Sequence, residues 1–508
     1  MPRRILLVLL FLSVVLTPFR RELFVGDETK YGQVVREMRT TGAFFLPTLN
    51  GTPFTHKPPL HFWLIDLLTF PLGLYSMWPF VIPSLAAFAF LLWLLMRMRG
   101  WLAAFVCGTS LMMWGSAQTA RMDVGFTFFL TLGCWWLYRF FGARTSRPQS
   151  AGVAPGDDGD RAGRPITADE TSALLWSGVA IGVATLIKGP MAPVIILILF
   201  GLECWRRRRV PRANYFPALA AMVVIPLIWF VPALMLGGDA YVHDVIVKQT
   251  VGRAFATWVH KAPPWYYLLH APGDLFPWFF VAVVAIVAAW KRDDPLDRFC
   301  ISWIIAVVLP YSLMSSKLDV YMMAMIPPVA ILVAGAEGRG VVIANRVMLV
   351  LLAIAASAAV FFIHHPYDTL AVRVLLIVLA MASLLGAIAG TTVAVGVALL
   401  VVYFYAAIVI TPLAYDIATT RPLIATLSRL HVPPEEIALF SCPQLWSRDM
   451  PRELERVRYV APADLQRFKP LVIVTARKNA KDIAPALVGY RVVETVQMIG
   501  KPFDVYRR

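Results

Sequence analysis

Apolar runs of 16 to 22 residues recur along this chain, separated by short polar breaks. Each is long enough to cross roughly 30 Å of hydrocarbon as a helix. Twelve such runs lie at about 79–97, 101–118, 124–141, 172–187, 190–205, 215–236, 275–290, 299–315, 319–336, 344–363, 371–389 and 392–412. A thirteenth, ILLVLLFLSVVLTPF at 5–19, opens the chain after Arg3 and Arg4. Arg20, Arg21 and Glu22 follow it, with no small-residue cleavage site, so it reads as a retained first helix and not a signal peptide. The pattern predicts an all-α polytopic membrane protein of about 13 transmembrane helices over residues 1–412. Residues 60–76 are also apolar, but Asp66, Pro71 and Gly73 interrupt them, which predicts an interfacial helix.

The pattern changes after about residue 413. Short β-like runs appear at 437–441 (IALFS), 457–461 (VRYVA), 471–476 (LVIVTA) and 492–499 (VVETVQMI). Polar or helical stretches separate them, which predicts a small α/β domain over 413–508. It contains no P-loop and no GxGxxG. Residues 143–170 are rich in Gly, Pro, Ser and charge and read as a disordered cytoplasmic loop.

Composition agrees with the pattern. The chain is 59% hydrophobic and 15% charged. The net charge of +16 is no sign of a nucleic-acid partner, because the basic residues cluster beside the spans, as in MRMRG at 96–100 and RRRR at 206–209. There they set orientation and meet membrane lipids. The basic loops Met96–Gly100, Arg139–Arg164, Trp205–Arg212, Lys291–Arg298 and Arg339–Arg346 then fall inside. The loops holding Asp27, Asp123, Lys188, His260, Lys317 and His364 fall outside. The five cysteines show neither metal-ligand spacing nor a disulfide framework.

The outer loops collect the candidate chemistry, at 22–78, 119–123 and 237–274. Asp27 and Glu28 follow the first span, and Lys57 precedes Pro58-Pro59. Arg121 and Asp123 stand between two spans in ARMDVG, and Lys188 stands between two others in LIKGP. Arg253 and His260 lie in the longest outer loop, and Lys317 and Tyr321 in SSKLDVYMMAMIPP. Cations facing a carboxylate pair suit one kind of chemistry, in which they bind a phosphate leaving group while a carboxylate orients or deprotonates the acceptor. Taken singly, each residue also has a structural reading. Asp27 fits a helix N-cap, Arg121 and Asp123 a turn ion pair, and His260 a polar loop position, with no second metal ligand at helical spacing.

The order of motifs decides between these readings. GDETKYGQVVREM, GTPFTHKPPLHFW, ARMDVGFTFFL, LIKGP, HKAPPWYYL and SSKLDVYMMAMIPP follow one another. In that order the chain resembles the C-type membrane glycosyltransferases, the family of the bacterial lipid A aminoarabinose transferases and the protein O-mannosyltransferases. The resemblance implies the fold known as GT-C and a polyprenyl-phosphate sugar as donor. It implies transfer with inversion, at the periplasmic face of a bacterial inner membrane, without cofactor or metal. By the same resemblance Asp27 and Asp123 are the catalytic carboxylates, and Lys57, Arg253 and Tyr321 bind the donor phosphate. Glu28, Arg121, Lys188, His260 and Lys317 are possible supports. The acceptor stays open between lipid A, another envelope glycolipid, a polysaccharide and a protein hydroxyl.

Two other classes fit less well. A lipid-linked sugar transporter or flippase needs ionisable groups near the middle of the bilayer, whereas here they concentrate at span edges. An O-antigen-type ligase needs a large outer loop rich in Arg and His. Residues 237–274 offer Arg253 with His243, His260 and His270.

Overall fold

A computed structural model describes residues 2–142, 168–245, 247, 261–362 and 369–508 of the chain. Arg253, His260, His364 and most of the 143–170 segment lie outside the described residues.

The first ten helices are α1 (Pro2–Val15), α2 (Asp27–Thr41), α3 (Leu60–Leu72), α4 (Trp78–Met98), α5 (Trp101–Thr109), α6 (Leu111–Ala117), α7 (Asp123–Gly142), α8 (Ala168–Lys188), α9 (Met191–Arg206) and α10 (Phe216–Val242). Among the described residues, eight helices are long and apolar enough to cross a bilayer alone. They are α4, α7, α8 and α10, with Pro295–Leu313, Arg339–Phe362, Leu370–Ala389 and the helix beginning at Thr392. The chain is a multi-span membrane protein.

The five other predicted spans are helical too, but shorter or broken. α1 has 14 residues and α9 has 16. The 275–290 run is one arm of a bent pair, Tyr266–Asp274 and Phe279–Lys291, which turns through 112°. The 319–336 run is a 3-10 turn, Asp319–Met325, leading into a short helix, Ile326–Ala334. The 101–118 run splits into α5 and α6 at Ser110, whose backbone is extended (φ −63°, ψ 129°). The Thr109 and Ser110 hydroxyls hydrogen-bond back to the carbonyls of Phe105 and Val106, and the Leu111 amide leaves the helix to donate to the Phe276 carbonyl (3.0 Å). Side-chain and tertiary hydrogen bonds thus replace the helical ladder at that point.

α3 is 13 residues long, which spans only about 20 Å and is too short to cross. Leu64, Leu67 and Phe70 are exposed while Phe62, Asp66 and Thr69 are buried. An apolar face turned outward on a short helix suits the membrane interface.

Close packing of helices relies on small residues. Gly178 and Gly182 of α8, four apart, lie directly on the α10 backbone. A Cβ at Gly182 would sit 2.8 Å from the Ala221 carbonyl oxygen, and one at Gly178 would strike Ala218. This is the small-xxx-small arrangement that lets membrane helices approach.

The chain ends in a five-stranded sheet with flanking helices. A two-residue hairpin, β1 (Thr48–Leu49) and β2 (Thr52–Pro53), lies in the loop after α2. The sheet itself comprises β3 (Ile437–Phe440), β4 (Arg458–Tyr459), β5 (Val472–Ala476), β6 (Arg491–Met498) and β7 (Lys501–Arg507). Its order is β4-β3-β5-β7-β6, with β3 parallel to β4 and β5, and β7 antiparallel to β5 and β6. Ile437, Leu439, Val472, Val474, Phe503 and Val505 form part of its core.

Candidate active site

The two ends of the helix bundle differ in chemistry. At one end Arg99 pairs with Asp294 (2.6 Å) and Asp297 (3.1 Å), and the Arg207 guanidinium lies over the Phe141 ring near the end of α7. The start of α7 is at the other end, where the candidate residues gather.

α2 opens after Gly26, whose φ of 126° and ψ of −126° suit glycine. Asp27 is the first helical residue and Gly26 holds the capping position, so Asp27 is not the N-cap. The Thr29 hydroxyl accepts the Gly26 amide instead (3.3 Å). The Asp27 carboxylate is half exposed, 3.6 Å from Arg121 Nη2 and 3.9 Å from Lys30 Nζ.

Arg121 bridges the two predicted carboxylates, since its Nε lies 3.3 Å from Asp123 Oδ2. Its backbone is held by the Ser84 hydroxyl, which donates to the Arg121 carbonyl (2.8 Å). Asp123 begins α7 and Lys188 ends α8, so two helix ends bring them together, with Lys188 Nζ 2.5 Å from Asp123 Oδ1. Lys57 acts on the same carboxylate through space. Lys188 Nζ also sits 5.0 Å from the centre of the Tyr321 ring, which stacks on Tyr311 at 4.8 Å. Asp27, Arg121, Asp123, Lys188 and Tyr321 therefore form one chain of contacts, with Lys57 near enough to act on Asp123, and the six are drawn from five separate segments.

Two predicted supports do not point into the contact chain. Glu28 turns inward, away from its neighbour Asp27. It pairs with the buried Arg21 through both oxygens (2.6 and 3.0 Å) and accepts the Phe24 and Ala120 amides (2.7 Å each). Lys317 donates to the Ser312 carbonyl (3.1 Å) and the Met314 carbonyl at the end of a helix. Burial pushes its ammonium below the usual lysine range.

The structure adds two residues that the motifs do not single out. Tyr31 lies one helical turn after Asp27, buried against His61 and Phe62. Burial first, then the Asp27 and Asp123 carboxylates, push its phenol up, so it stays protonated. The spacing of four from Asp27 is the available signal. His61 of α3 holds the Ala120 carbonyl through Nε2 (3.1 Å) and so fixes the turn before Arg121. Nearby on the 319–325 turn, Asp319 accepts from Tyr266 (2.8 Å) and meets His270 Nδ1 (2.9 Å). Among the described residues, no group of three His, Cys, Asp or Glu side chains could hold a metal ion.

No protein-family model matches the chain. Curated relatives do. It is 25% identical over 362 residues to an undecaprenyl phosphate-alpha-4-amino-4-deoxy-L-arabinose arabinosyl transferase of Pectobacterium atrosepticum, covering 67% of this chain and 60% of that one. Transferases of the same name from Aeromonas hydrophila (25% over 410 residues, 75% and 71%) and Pseudomonas fluorescens (26% over 353 residues, 65% and 59%) are similar. The chain thus spans about 60% of the length of the Pectobacterium relative. Among solved structures, ArnT from Cupriavidus metallidurans bound to undecaprenyl phosphate superposes with a TM-score of 0.70 at 17% identity, over 99% of this chain and 96% of that one. Its apo state gives 0.69. The chain has the fold of these transferases. The helical bundle with a small C-terminal sheet, expected from the hydrophobic pattern, is the architecture observed.

Proposed function

We propose that the chain is an inverting membrane glycosyltransferase that moves a sugar from a polyprenyl-phosphate donor to an envelope lipid of the lipid A type. The observation that carries this reading is the contact chain from Asp27 through Arg121, Asp123 and Lys188 to Tyr321. It sets a half-exposed carboxylate beside a dense group of cations at one end of the bundle. The relatives' name supports an undecaprenyl-phosphate carrier and an aminoarabinose sugar. The bundle end that holds the site is opposite the basic end around Arg99 and Arg207, which supports a periplasmic site in an inner membrane.

In this mechanism the donor's isoprenoid chain enters from the bilayer. Lys57 and Tyr321 hold its phosphate, together with Arg253 as the motif resemblance assigns it. The bond between C1 and the donor phosphate oxygen breaks, and its electron pair leaves with the phosphate. The cations stabilise that developing charge. The acceptor oxygen bonds to C1 from the opposite face, so the anomeric centre inverts. Asp27 orients the acceptor, and Arg121 and Lys30 beside it allow an anionic acceptor phosphate to approach. Asp123 holds Arg121 and Lys188 in place.

The test uses purified protein in nanodiscs with a panel of labelled undecaprenyl-phosphate sugars and an envelope lipid extract. Wild type is compared with Asp27→Ala and Lys57→Ala. The expected result is consumption of one donor, label in the lipid fraction, and loss of both in the two variants. Donors that bind without being consumed by any acceptor fraction would overturn the reading in favour of a flippase. Label in a protein fraction would move the acceptor to a hydroxyl.

A further inference from the structure

The C-terminal unit reaches back to the helix that starts at Asp27. Its contact is Trp446, in the loop between β3 and β4, which is 2% exposed. The indole stacks on Tyr75 (5.0 Å, 27°) and meets Phe80 edge-on (5.3 Å, 81°). Thr420 pins its backbone in both directions, donating to the Trp446 carbonyl (2.9 Å) and accepting from its amide (3.0 Å).

The ring lies directly on α2 at Gly32. A Cβ there would sit 2.7 Å from both Cε3 and Cζ3 of Trp446, and 3.0 Å from Leu23 Cδ1. Glycine inside a helix costs stability relative to alanine, so its place in the middle of α2 has a packing reason, and the indole supplies it. Polar contacts flank the ring on both sides. Glu22, just before α2, accepts from Tyr415 (2.9 Å), Arg421 (2.7 Å) and the Arg448 amide (3.2 Å). Tyr75 donates to Glu455, and the Arg452 guanidinium lies 3.5 Å over its ring.

We propose that Trp446 is a positioning residue for the transfer reaction. Through Gly32 it sets the height and tilt of α2, and so sets Asp27 against Arg121. The proposal rests on the role given to Asp27 above. Gly32 is five residues from Asp27, roughly 7–8 Å along the helix axis, so a tilt at Gly32 moves the carboxylate. A misplacement of about 1 Å can cost on the order of 100-fold in rate. Tyr321 stands on the separate 319–325 turn, so that donor contact does not move with α2.

The test is a coupled pair of substitutions, Gly32→Ala and Trp446→Phe, read two ways in the full-length protein. The first readout is kcat against donor KM, per folded molecule. Gly32→Ala lowers kcat about 10- to 100-fold and changes donor KM far less, because Tyr321 stays in place on its own turn. Trp446→Phe alone lowers kcat less, and the double variant recovers most of the loss, because the smaller ring makes room for the new methyl group. The second readout is amide hydrogen exchange over residues 27–38. Exchange speeds up in Gly32→Ala and returns towards wild type in the double variant, with α7 unchanged in all three. If Gly32→Ala does not fold, Trp446→Leu carries both readouts.

Wild-type kcat together with wild-type exchange in Gly32→Ala overturns the proposal, as does a double variant no better than the worse single one. A wild type that turns over no donor sinks the functional reading instead. Exchange alone then decides whether Trp446 holds α2.

Discussion

Lys188 Nζ lies 2.5 Å from Asp123 Oδ1, and both side chains are only 7% exposed. One charge ends α8 and the other begins α7, so the pair ties two transmembrane helices at the end where the site forms. Burying either charge alone is costly, and removing one partner of a buried pair costs about 3–5 kcal/mol. Lys188→Met should therefore lower the folded yield and the melting midpoint in detergent strongly. Pairing it with Asp123→Leu should restore much of the stability, since the double variant leaves no orphaned charge. Activity should stay lost in the double variant, because Arg121 then lacks the carboxylate that holds it. Equal instability of the single and double variants would show that the two charges are not coupled.

Asp27 stands in the opposite situation. Its carboxylate is half exposed, and its ion-pair distances are 3.6 and 3.9 Å. Exposed pairs of this kind contribute about 0–1 kcal/mol. Asp27→Asn should melt within a degree or two of wild type and yet lose activity. With a hydroxyl acceptor, where the carboxylate would take a proton, the loss should be about 10²- to 10⁴-fold. With an already anionic phosphate acceptor it should be smaller. Measuring turnover of Asp27→Asn on both acceptor types separates orientation from base catalysis. Undiminished turnover on both would remove Asp27 from the reaction.

Glu28 is next to Asp27 in sequence and its contrast in role. Both its oxygens are engaged by Arg21, whose side chain is fully buried, and it also holds the Ala120 amide. Glu28→Ala should cost stability on the scale of a broken buried pair, about 3–5 kcal/mol. Arg21→Met in the same chain should recover part of it. Thermal melting of the two singles and the double gives the coupling directly. A Glu28→Ala protein as stable as wild type would assign this carboxylate to the site after all.

The contrast shows what the sequence can reveal. Charged residues at span edges stand out against apolar runs, so Asp27, Lys57, Arg121, Asp123 and Lys188 are legible, Tyr321 enters only through the motif resemblance, and the structure brings the six together. Which of Asp27 and Glu28 faces the site is not legible. Adjacent helical residues point about 100° apart, and the inward direction is fixed by Arg21, a partner that no local pattern identifies. The break at Ser110 is hidden for a similar reason: the bond that makes it comes from Phe276, far along the chain. Strand β7 escapes pattern reading because KPFDVYR carries a proline and three charges and is a strand only through its pairing with β5 and β6. In the sequence Trp446 is one aromatic residue in a polar stretch, and its pocket is built by residues more than 350 positions earlier.

His61 gives a prediction in pH. Burial pushes its imidazole down from 6.5 to about 4, although the Ala120 carbonyl at Nε2 opposes the shift. In the folded protein the ring is therefore neutral, with its proton on the nitrogen that faces that carbonyl. Above pH 6.5 the ring is neutral folded and unfolded, and its contribution is intact. Between 6.5 and about 4 the unfolded chain takes up a proton that the folded protein refuses. Stability then falls as the pH falls, by up to about 1.4 kcal/mol per unit. Other groups titrate in the same range, so the comparison is with His61→Gln, which keeps an amide donor towards Ala120 and cannot be charged there. From about pH 7 to about pH 5 the wild-type melting midpoint should drop further than that of His61→Gln, by the equivalent of about 2 kcal/mol. Parallel lines for the two proteins would mean that the ring is solvated or paired when protonated, and that the turn before Arg121 does not depend on a neutral imidazole.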